Sequence, residues 1–453
     1  MQTRAIILAA GKGTRMKSEK SKVLHEVGGV PMIQHVIDNL RKAGIEEIHA
    51  VLGHEAQVVR DRLDDDIKTT IQKEQLGTAH AVQQLQEALG GTDGQTMVIC
   101  GDTPLISETT MQTFMKYHLE SGAKATILST RTQIPYGYGR IIRKENGSVR
   151  RIVEQKDANP AEQEIKEVSS GTFIFDNRLL FEALEKVDND NAQNEYYLPD
   201  AIAIMRDRGA RVEAYLTPDF EEVLGINDKM ALAKAEEVLR ERINTQHMQN
   251  GVTLIDPNAT YIDAEVQIGP DTIIYPGAVL RGRTRVGENV VISSGSEIKD
   301  SFIDDEVEVK HSVVLGSKVG KGTTVGPFAQ LRPGSELGKS VKIGNFVEVK
   351  KSQLADEAKV SHLSYIGDAE IGARSNIGCG TITVNYDGKN KFKTEIGADA
   401  FIGCNSNLMA PVKIGDRSFI AAGSTITDEV PEDSLAIARN RQTTKEGYLK
   451  KDN

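Results

Sequence analysis

From about residue 260 to the low 420s, an aliphatic side chain returns at every sixth position, often with a glycine behind it. One run is Ile268, Ile274, Leu280, Val286, Ile292 and Ile298, and a second is Val313, Val319, Val325, Leu331, Leu337, Ile343 and Val349. The register slips near Leu354 and Ile371, breaks between Val384 and Glu395, and resumes through Ile396, Ile402, Leu408, Ile414, Ile420 and Ile426. A period of six matches neither a helix face nor an alternating strand. It predicts a solenoid whose coils each take three hexapeptides, so that every sixth residue points inward onto its counterpart one coil away. Gly269, Gly287, Gly320, Gly344, Gly378 and Gly403 follow inward positions, where a corner leaves no room for a β-carbon. Roughly nine coils of about eighteen residues fill the stretch.

The pattern before residue 226 is different. Apolar runs at Ala5–Ala10, Ile48–Leu52, Met97–Cys100, Ala125–Ser129 and Thr172–Phe175 read as strands, while Ile33, Val36, Ile37 and Leu40 mark one face of a helix. Their alternation predicts a mostly parallel sheet covered by helices on both sides, with ligands at the carboxyl ends of the strands. Residues 227–249 read as a charged linking helix with Met230, Leu232, Val238, Leu239 and Ile243 on its buried side. The expected division is therefore 1–226, 227–249 and 250–453, ending in a loose polar tail from Lys445.

Charge narrows the partners. Lys and Arg total 55 against 65 Asp and Glu, a net of −10, which argues against nucleic acid and requires any phosphate to be held by local positive groups. No apolar run is long enough to span a membrane. Cys100, Cys379 and Cys404 are odd in number, far apart and without metal-ligand spacing, which suits a reducing, cytoplasmic setting.

Two segments carry chemistry. In the first, Leu8, Ala9, Ala10, Gly11, Lys12, Gly13, Thr14, Arg15 and Met16 follow a buried strand, with Lys22 shortly after. Glycines let backbone amides approach a phosphate, and Lys12, Arg15 and Lys22 supply positive charge. The segment is neither the dinucleotide fingerprint nor the Walker sequence. Gln72, Gly77 and Thr78 offer an amide, a close backbone approach and a hydroxyl for reading a nucleobase edge. Asp102 ends another strand with the hard oxygen that Mg²⁺ prefers beside phosphates, although taken alone it reads sooner as a helix or turn cap than as a metal ligand.

In the second segment, Arg332, Lys350, His362, Tyr365 and Asn376 are polar residues that a purely structural solenoid does not need. Arg332 and Lys350 are eighteen apart, which stacks them on adjacent coils. The Asn385-Tyr386 interruption, with Lys391 behind it, reads as a loop that leaves the coil and can reach a neighbouring subunit. His362 alone reads as a solvated corner residue; its basic and aromatic neighbours are what suggest catalysis. Cys379 and Cys404 have no histidine nearby in sequence to activate them as nucleophiles.

The first half resembles the sugar-phosphate nucleotidyltransferases, whose signature is a strand, then L-x-x-G-x-G-T-R-M, then a lysine, matched here by Leu8 to Met16 and Lys22. End to end, the chain resembles the bacterial bifunctional enzymes that combine N-acetylglucosamine-1-phosphate uridylyltransferase with glucosamine-1-phosphate acetyltransferase. That resemblance implies a Rossmann-like α/β nucleotidyltransferase domain, followed by a left-handed parallel β-helix of hexapeptide repeats. It implies that Leu8 to Gly11, Gln72, Gly77 and Thr78 hold the uridine nucleotide, Arg15 and Lys22 its phosphates, and Asp102 and Asn227 a Mg²⁺ ion. Gly139, Glu154 and Ser169 line the sugar pocket in the same reading.

For the repeat domain the resemblance implies His362 as general base toward the amine of glucosamine-1-phosphate, a role that suits an imidazole near neutral pH. It places the sugar phosphate near Arg332 and Lys350, the sugar near Tyr365 and Asn376, and acetyl-CoA near Asn385, Tyr386, Cys404, Ala422 and Arg439. UTP and acetyl-CoA are the implied co-substrates, N-acetylglucosamine-1-phosphate the intermediate, and a homotrimer the implied assembly. Three positions depart from the pattern: Ser21 where proline is usual, Ser169 where asparagine is expected, and Cys404 where serine is common. Two other readings stay open from the residues themselves. The repeat is then only an oligomerising or regulatory module, or the chain is a sugar-nucleotide sensor without catalysis.

Overall fold

The computed structural model describes residues 2–449, which fall into two compact units, one ending at Leu239 and the other beginning at Arg240. Positions 450–453 of the polar tail lie outside the described residues.

The first unit is built on a nine-stranded sheet. Its strands are β1 (Thr3–Ala9), β2 (Glu47–Leu52), β3 (Lys68–Ile71), β4 (Gln95–Cys100), β5 (Ala125–Arg131), β6 (Arg140–Arg143), β7 (Val149–Val153), β8 (Glu167–Asp176) and β9 (Val212–Leu216). The spatial order is β9-β5-β8-β4-β1-β2-β3, and the β6–β7 hairpin pairs with β8. Side chains alternate between two cores: Ile6, Val51 and Val98 join one, and Ala5, Ile7, Ala50 and Met97 join the other. Such alternation of apolar residues on both faces is what a sheet covered on both sides requires. Helix α1 (Met32–Lys42) buries Ile33, Val36, Ile37 and Leu40, the face its spacing predicts.

Besides the antiparallel β6–β7 hairpin, one of the strands expected from the sequence departs from the parallel arrangement. β8, which contains Thr172–Phe175, runs antiparallel to both β4 and β5. Its reversal carries Ser169, Ser170 and Gly171 to the carboxyl end of β4, and the register slips between Ser169 and Phe173. Gly171 takes φ +79°, a left-handed conformation that costs glycine little, and the bulge turns the strand around the strand-end site.

In the second unit three parallel sheets of eleven, ten and nine strands run from Thr253 to Ala436, forming a left-handed parallel β-helix. The stack begins earlier and ends later than the hexad run in the sequence. Most inward steps are six residues, but Ile298 to Ile303, Val309 to Val314, Val314 to Val319, Val349 to Leu354 and Ile366 to Ile371 are steps of five. The inward residue is therefore Val314, with Val313 half-exposed beside it. The glycines behind inward positions are needed for close packing: a β-carbon on Gly378 would stand 2.7 Å from the Cys404 nitrogen of the next coil. Left-handed corners are taken as often by other residues, such as Asp271, Asn289, Phe328 and Phe346. A second repeat feature lies two residues before most inward aliphatics, where a buried Ser or Thr hydroxyl bridges coils. Thr323, for example, donates to Gly338 O at 2.9 Å and accepts from Val341 N at 3.0 Å.

Helix α2 (Thr78–Gln83) lies in the first unit, and helix α3 (Lys229–Gln249) contributes residues to both units. Asp228 caps α3 by accepting from Met230 N and Ala231 N. Val238 is buried and Leu232 and Leu239 are half-buried, but Met230, expected on the buried side, is 83 % exposed. It sits in the first turn, and the packing face is supplied instead by Ala235 and Val238.

Two candidate active sites

The first site gathers at the carboxyl ends of β1 and β4. Leu8, Thr78, Asp102, Gly139, Glu154, Ser169 and Asn227 all line one cavity of about 220 Å³. Asp102 and Asn227 lie 125 positions apart, and the backbone joins them through Ile226 N donating to Asp102 O at 3.0 Å. Both side chains face the same cation: Lys22 Nζ donates to Asp102 Oδ2 and, at 3.2 Å, to Asn227 Oδ1. Sequence spacing gives no hint of this convergence.

The glycine-rich turn stands outside the cavity wall, at the end of β1. Gly13 has φ +59° and its missing β-carbon makes room for Lys22, whose Cβ would be 2.8 Å away. Gly11 is exposed with nothing within 4 Å, so its bareness serves open space rather than packing. Ala9 and Ala10 are buried beneath, while Arg15 is exposed on a short turn anchored by buried Met16. Gln72 is buried, and its amide nitrogen reaches Gly77 O at 3.1 Å and His80 Nδ1 at 3.0 Å. Thr78 Oγ1 accepts from Leu198 N at 3.0 Å, tying the start of α2 to the cavity wall.

Burial alters the acidity of several side chains in the cavity wall, Tyr138 among them, whose phenol is raised. Burial pushes the Glu154 carboxyl up to about 7, with Asp157 and Asp200 adding repulsion. Burial, with the Asp102 charge, pushes the Cys100 thiol up to about 12, which removes it as a nucleophile near neutral pH. Ser169 Oγ accepts from Gly171 N at 3.2 Å, so this short hydroxyl partly serves its own bulge. The Ser169 amide holds Gly139 O at 2.8 Å.

The second site follows the corner between the first and second faces of the β-helix. His362, Cys379, Cys404 and Ala422 succeed one another in register, one coil apart. Backbone bonds continue along the same edge, from Asn405 N to Cys379 O at 2.7 Å and from Gly423 N to Cys404 O at 2.8 Å, and the Arg439 side chain donates from Nη1 to Ala422 O at 2.6 Å. His362 Nδ1 lies 2.8 Å from Asn345 Oδ1, its register partner on the preceding coil. Cys379 has no histidine close to it along the chain, but the fold sets it in register with His362, seventeen residues away.

On the second face, Leu331 pairs with Val349, which stacks Arg332 under Lys350 as the spacing of eighteen requires. Arg332 Nη1 bonds Glu348 Oε1 at 2.8 Å, and Glu348 is in register with Tyr365. The Tyr365 hydroxyl lies over Gly367, the register partner of Lys350, where a β-carbon would be 2.5 Å from it. Arg332, Lys350 and Tyr365 thus form one patch. Asn376 does not join it, because it sits on the first face between Lys359 and Phe401. The interruption after Val384 forms a small loop closed by a Tyr386–Lys391 bridge, and Asn385 Nδ2 donates to Asp368 Oδ2 at its base.

Comparison with known proteins fits both halves. The profile of the family described as Nucleotidyl transferase matches residues 4–223, and that of Bacterial transferase hexapeptide (six repeats) matches 265–300 and 393–428. Proteins of Staphylococcus haemolyticus and Staphylococcus epidermidis, each called Bifunctional protein GlmU, are 58% identical to the chain over 451 residues, covering 100% of both partners. The chain belongs to the bifunctional GlmU family. Both GlmU activities, nucleotidyl transfer and acetyl transfer, therefore reside in this polypeptide. No described helix is long and apolar enough to cross a membrane.

Proposed function

We propose that the first unit transfers UMP from UTP to N-acetylglucosamine-1-phosphate, releasing pyrophosphate, and that the second makes this acceptor from glucosamine-1-phosphate and acetyl-CoA. The product, UDP-N-acetylglucosamine, is a cytoplasmic precursor of the cell wall. The observation that carries the reading is the meeting of Asp102, Asn227 and Lys22 beside a cavity that also holds Glu154, Gly139 and Ser169.

In the first reaction both partners are anions, so positioning and charge neutralisation are the main demands. Lys22 and Arg15 supply fixed positive charge, and the amides after β1 receive phosphate oxygens where Gly11 leaves space. Gln72, Gly77 and Thr78 hold the base, while Glu154 and Ser169 address the sugar. Among the described residues no trio of His, Cys, Asp or Glu could hold a metal alone. Asp102 and Asn227 nevertheless fit Mg²⁺, which takes one or two protein oxygens together with substrate phosphates. Bound there, the ion would neutralise phosphate charge.

In the second reaction the amine of glucosamine-1-phosphate attacks the thioester carbonyl and the coenzyme leaves as its thiol. With Nδ1–H donated to Asn345, the His362 ring presents its Nε2 lone pair, the tautomer a general base needs. Arg332 and Lys350 hold the phosphate, and Tyr365 the sugar. Asn385, Tyr386, Cys404, Ala422 and Arg439 extend along and beside the corner and receive acetyl-CoA. Asn376 lies one face away from Tyr365, which supports a homotrimer in which adjoining chains share substrate.

The test is a coupled assay from glucosamine-1-phosphate, acetyl-CoA, UTP and Mg²⁺. His362→Ala is expected to lose acetyl transfer by about 10² or more while uridylyl transfer stays intact. Asp102→Ala is expected to show the reverse. Loss of both activities in either variant, or of neither, would refute the assignment.

A further inference from the structure

The wall of the sugar-facing cavity is held from outside by a side chain that no motif includes. Gln155 follows Glu154 just beyond β7, and its amide oxygen accepts two hydrogen bonds. One comes from Gly137 N at 3.0 Å and the other from Arg140 Nη2 at 2.7 Å. Arg140 Nη1 in turn donates to Tyr138 O. Gly137, Tyr138 and Gly139 are consecutive wall residues of the cavity. This one oxygen therefore ties the turn of the loop to the residue after Glu154, beside the backbone pairing of Arg140 with Val153.

The backbone adds two further ties, Ser169 N to Gly139 O at 2.8 Å and Tyr138 N to Pro135 O at 3.2 Å. Arg140 is 1 % exposed, and its Nε has no acceptor. Gly137 takes φ +90°, so nothing in its own backbone preference beyond being glycine fixes the turn. On the far side of the loop the Tyr138 ring packs edge-on against Phe220, with ring centroids 5.8 Å apart, which fixes the tip but not its base.

We infer that Gln155 is a positioning residue for the sugar phosphate, setting the Gly137–Gly139 wall at the distance from Glu154 that an N-acetylated hexose phosphate fits. The inference rests on the uridylyltransferase reading above. It needs no contact between Gln155 and substrate, and it assigns the effect to acceptor binding rather than to the phosphoryl step.

The test uses full-length wild type, Q155A and Q155E. N-acetylglucosamine-1-phosphate is varied at saturating UTP and Mg²⁺, and binding of UDP-N-acetylglucosamine is measured by calorimetry. Loss of one shared acceptor is worth roughly a tenfold change. Q155A is therefore expected to raise the KM for the sugar phosphate about tenfold and weaken product binding to match, with kcat within about twofold. Q155E keeps an oxygen for both donors and is expected to stay within about threefold of wild type. An unchanged KM in Q155A, or a Q155E as impaired as Q155A, overturns the inference. If Q155A fails to fold, Q155N withdraws the oxygen by one methylene and is expected to show the same KM shift; a normal KM there overturns it equally. A wild type that does not consume UTP would instead refute the parent reading.

Discussion

Glu154 shows how one buried side chain links the chemistry of a site to the stability of its unit. Its carboxyl ordinarily titrates at 4.5 and is pushed up to about 7 by burial, then by Asp157 and Asp200, with Arg140 opposing and Glu195 adding slightly. Asp200 is itself pushed up to about 6 by burial, Asp188 and Asp157. The folded state thus holds these protons more tightly than the unfolded chain. Glu154's contribution to stability is fully favourable below about 4.5, falls as pH rises through about 7, and is level above. Asp200 acts with the same sign from 3.8 to about 6. Replacing Glu154 by Gln removes the titrating group but keeps its shape. In thermal melts across pH 5 to 8, the variant's midpoint minus that of wild type is expected to grow with pH and level off near 7. A difference that stays constant would mean that Glu154 is ionised throughout the range in the folded protein.

At the level of elements, the β-helix shows how little space a corner leaves. A β-carbon on Gly344 would overlap the carbonyl of Ser361, the residue before His362, and Gly344 itself precedes Asn345. Gly344→Ala therefore overpacks the strand that orients the imidazole. Overpacking of this kind costs about 1–3 kcal/mol. The variant is expected to melt lower and to lose acetyl transfer even where it remains folded, with uridylyl transfer unchanged. An acetyltransferase of full activity would show that the Asn345–His362 contact does not matter.

The same elements show what the sequence discloses. A hexad of aliphatics announces the solenoid because side-chain period is set by backbone geometry, and the alternating runs announce the doubly covered sheet. The five-residue steps around Val314 escape because a coil can shorten one corner while keeping its inward contacts, so Val314 replaces Val313 at no cost to the stack. The Ser and Thr ladder was open to view, two residues ahead of most inward aliphatics, but hydroxyls are too common on surfaces for their burial to be read. Arg332 and Lys350 were legible because eighteen is one coil. Asn376 was not placed on another face because its eleven-residue offset from Tyr365 crosses a corner. Asn227 and Asp102 come together only through the fold, as do Cys379 and His362, and no periodicity connects them.

For the molecule as a whole, the question is where the second unit begins. The sequence suggests residue 250, after the linking helix, yet the contacts of the last turns of α3 belong to the β-helix. Asn244 is 1 % exposed, and its Nδ2 donates to Pro257 O at 2.7 Å and Thr260 O at 3.0 Å, carbonyls at the open first coil. Ile243 packs on the β-helix core, the Arg240 guanidinium lies 5.2 Å from the centre of the Tyr261 ring, and His247 O receives Val252 N at 3.0 Å. These residues close the end of a repeat stack whose inner aliphatics would otherwise meet water, the role that terminal caps play in solenoids. A fragment starting at Arg240 is therefore expected to fold and acetylate, whereas one starting at Gly251 lacks the cap. The buried Thr260 carbonyl and the half-buried Pro257 carbonyl lose their donor, and a buried one left unsatisfied costs about 1–3 kcal/mol. Asn244→Ala in the full-length chain should reproduce part of that loss, lowering the denaturant midpoint seen by acetyl transfer while leaving that of uridylyl transfer in place. Equal midpoints for the two fragments would mean that the first coil closes itself, and that the helix serves the first unit alone.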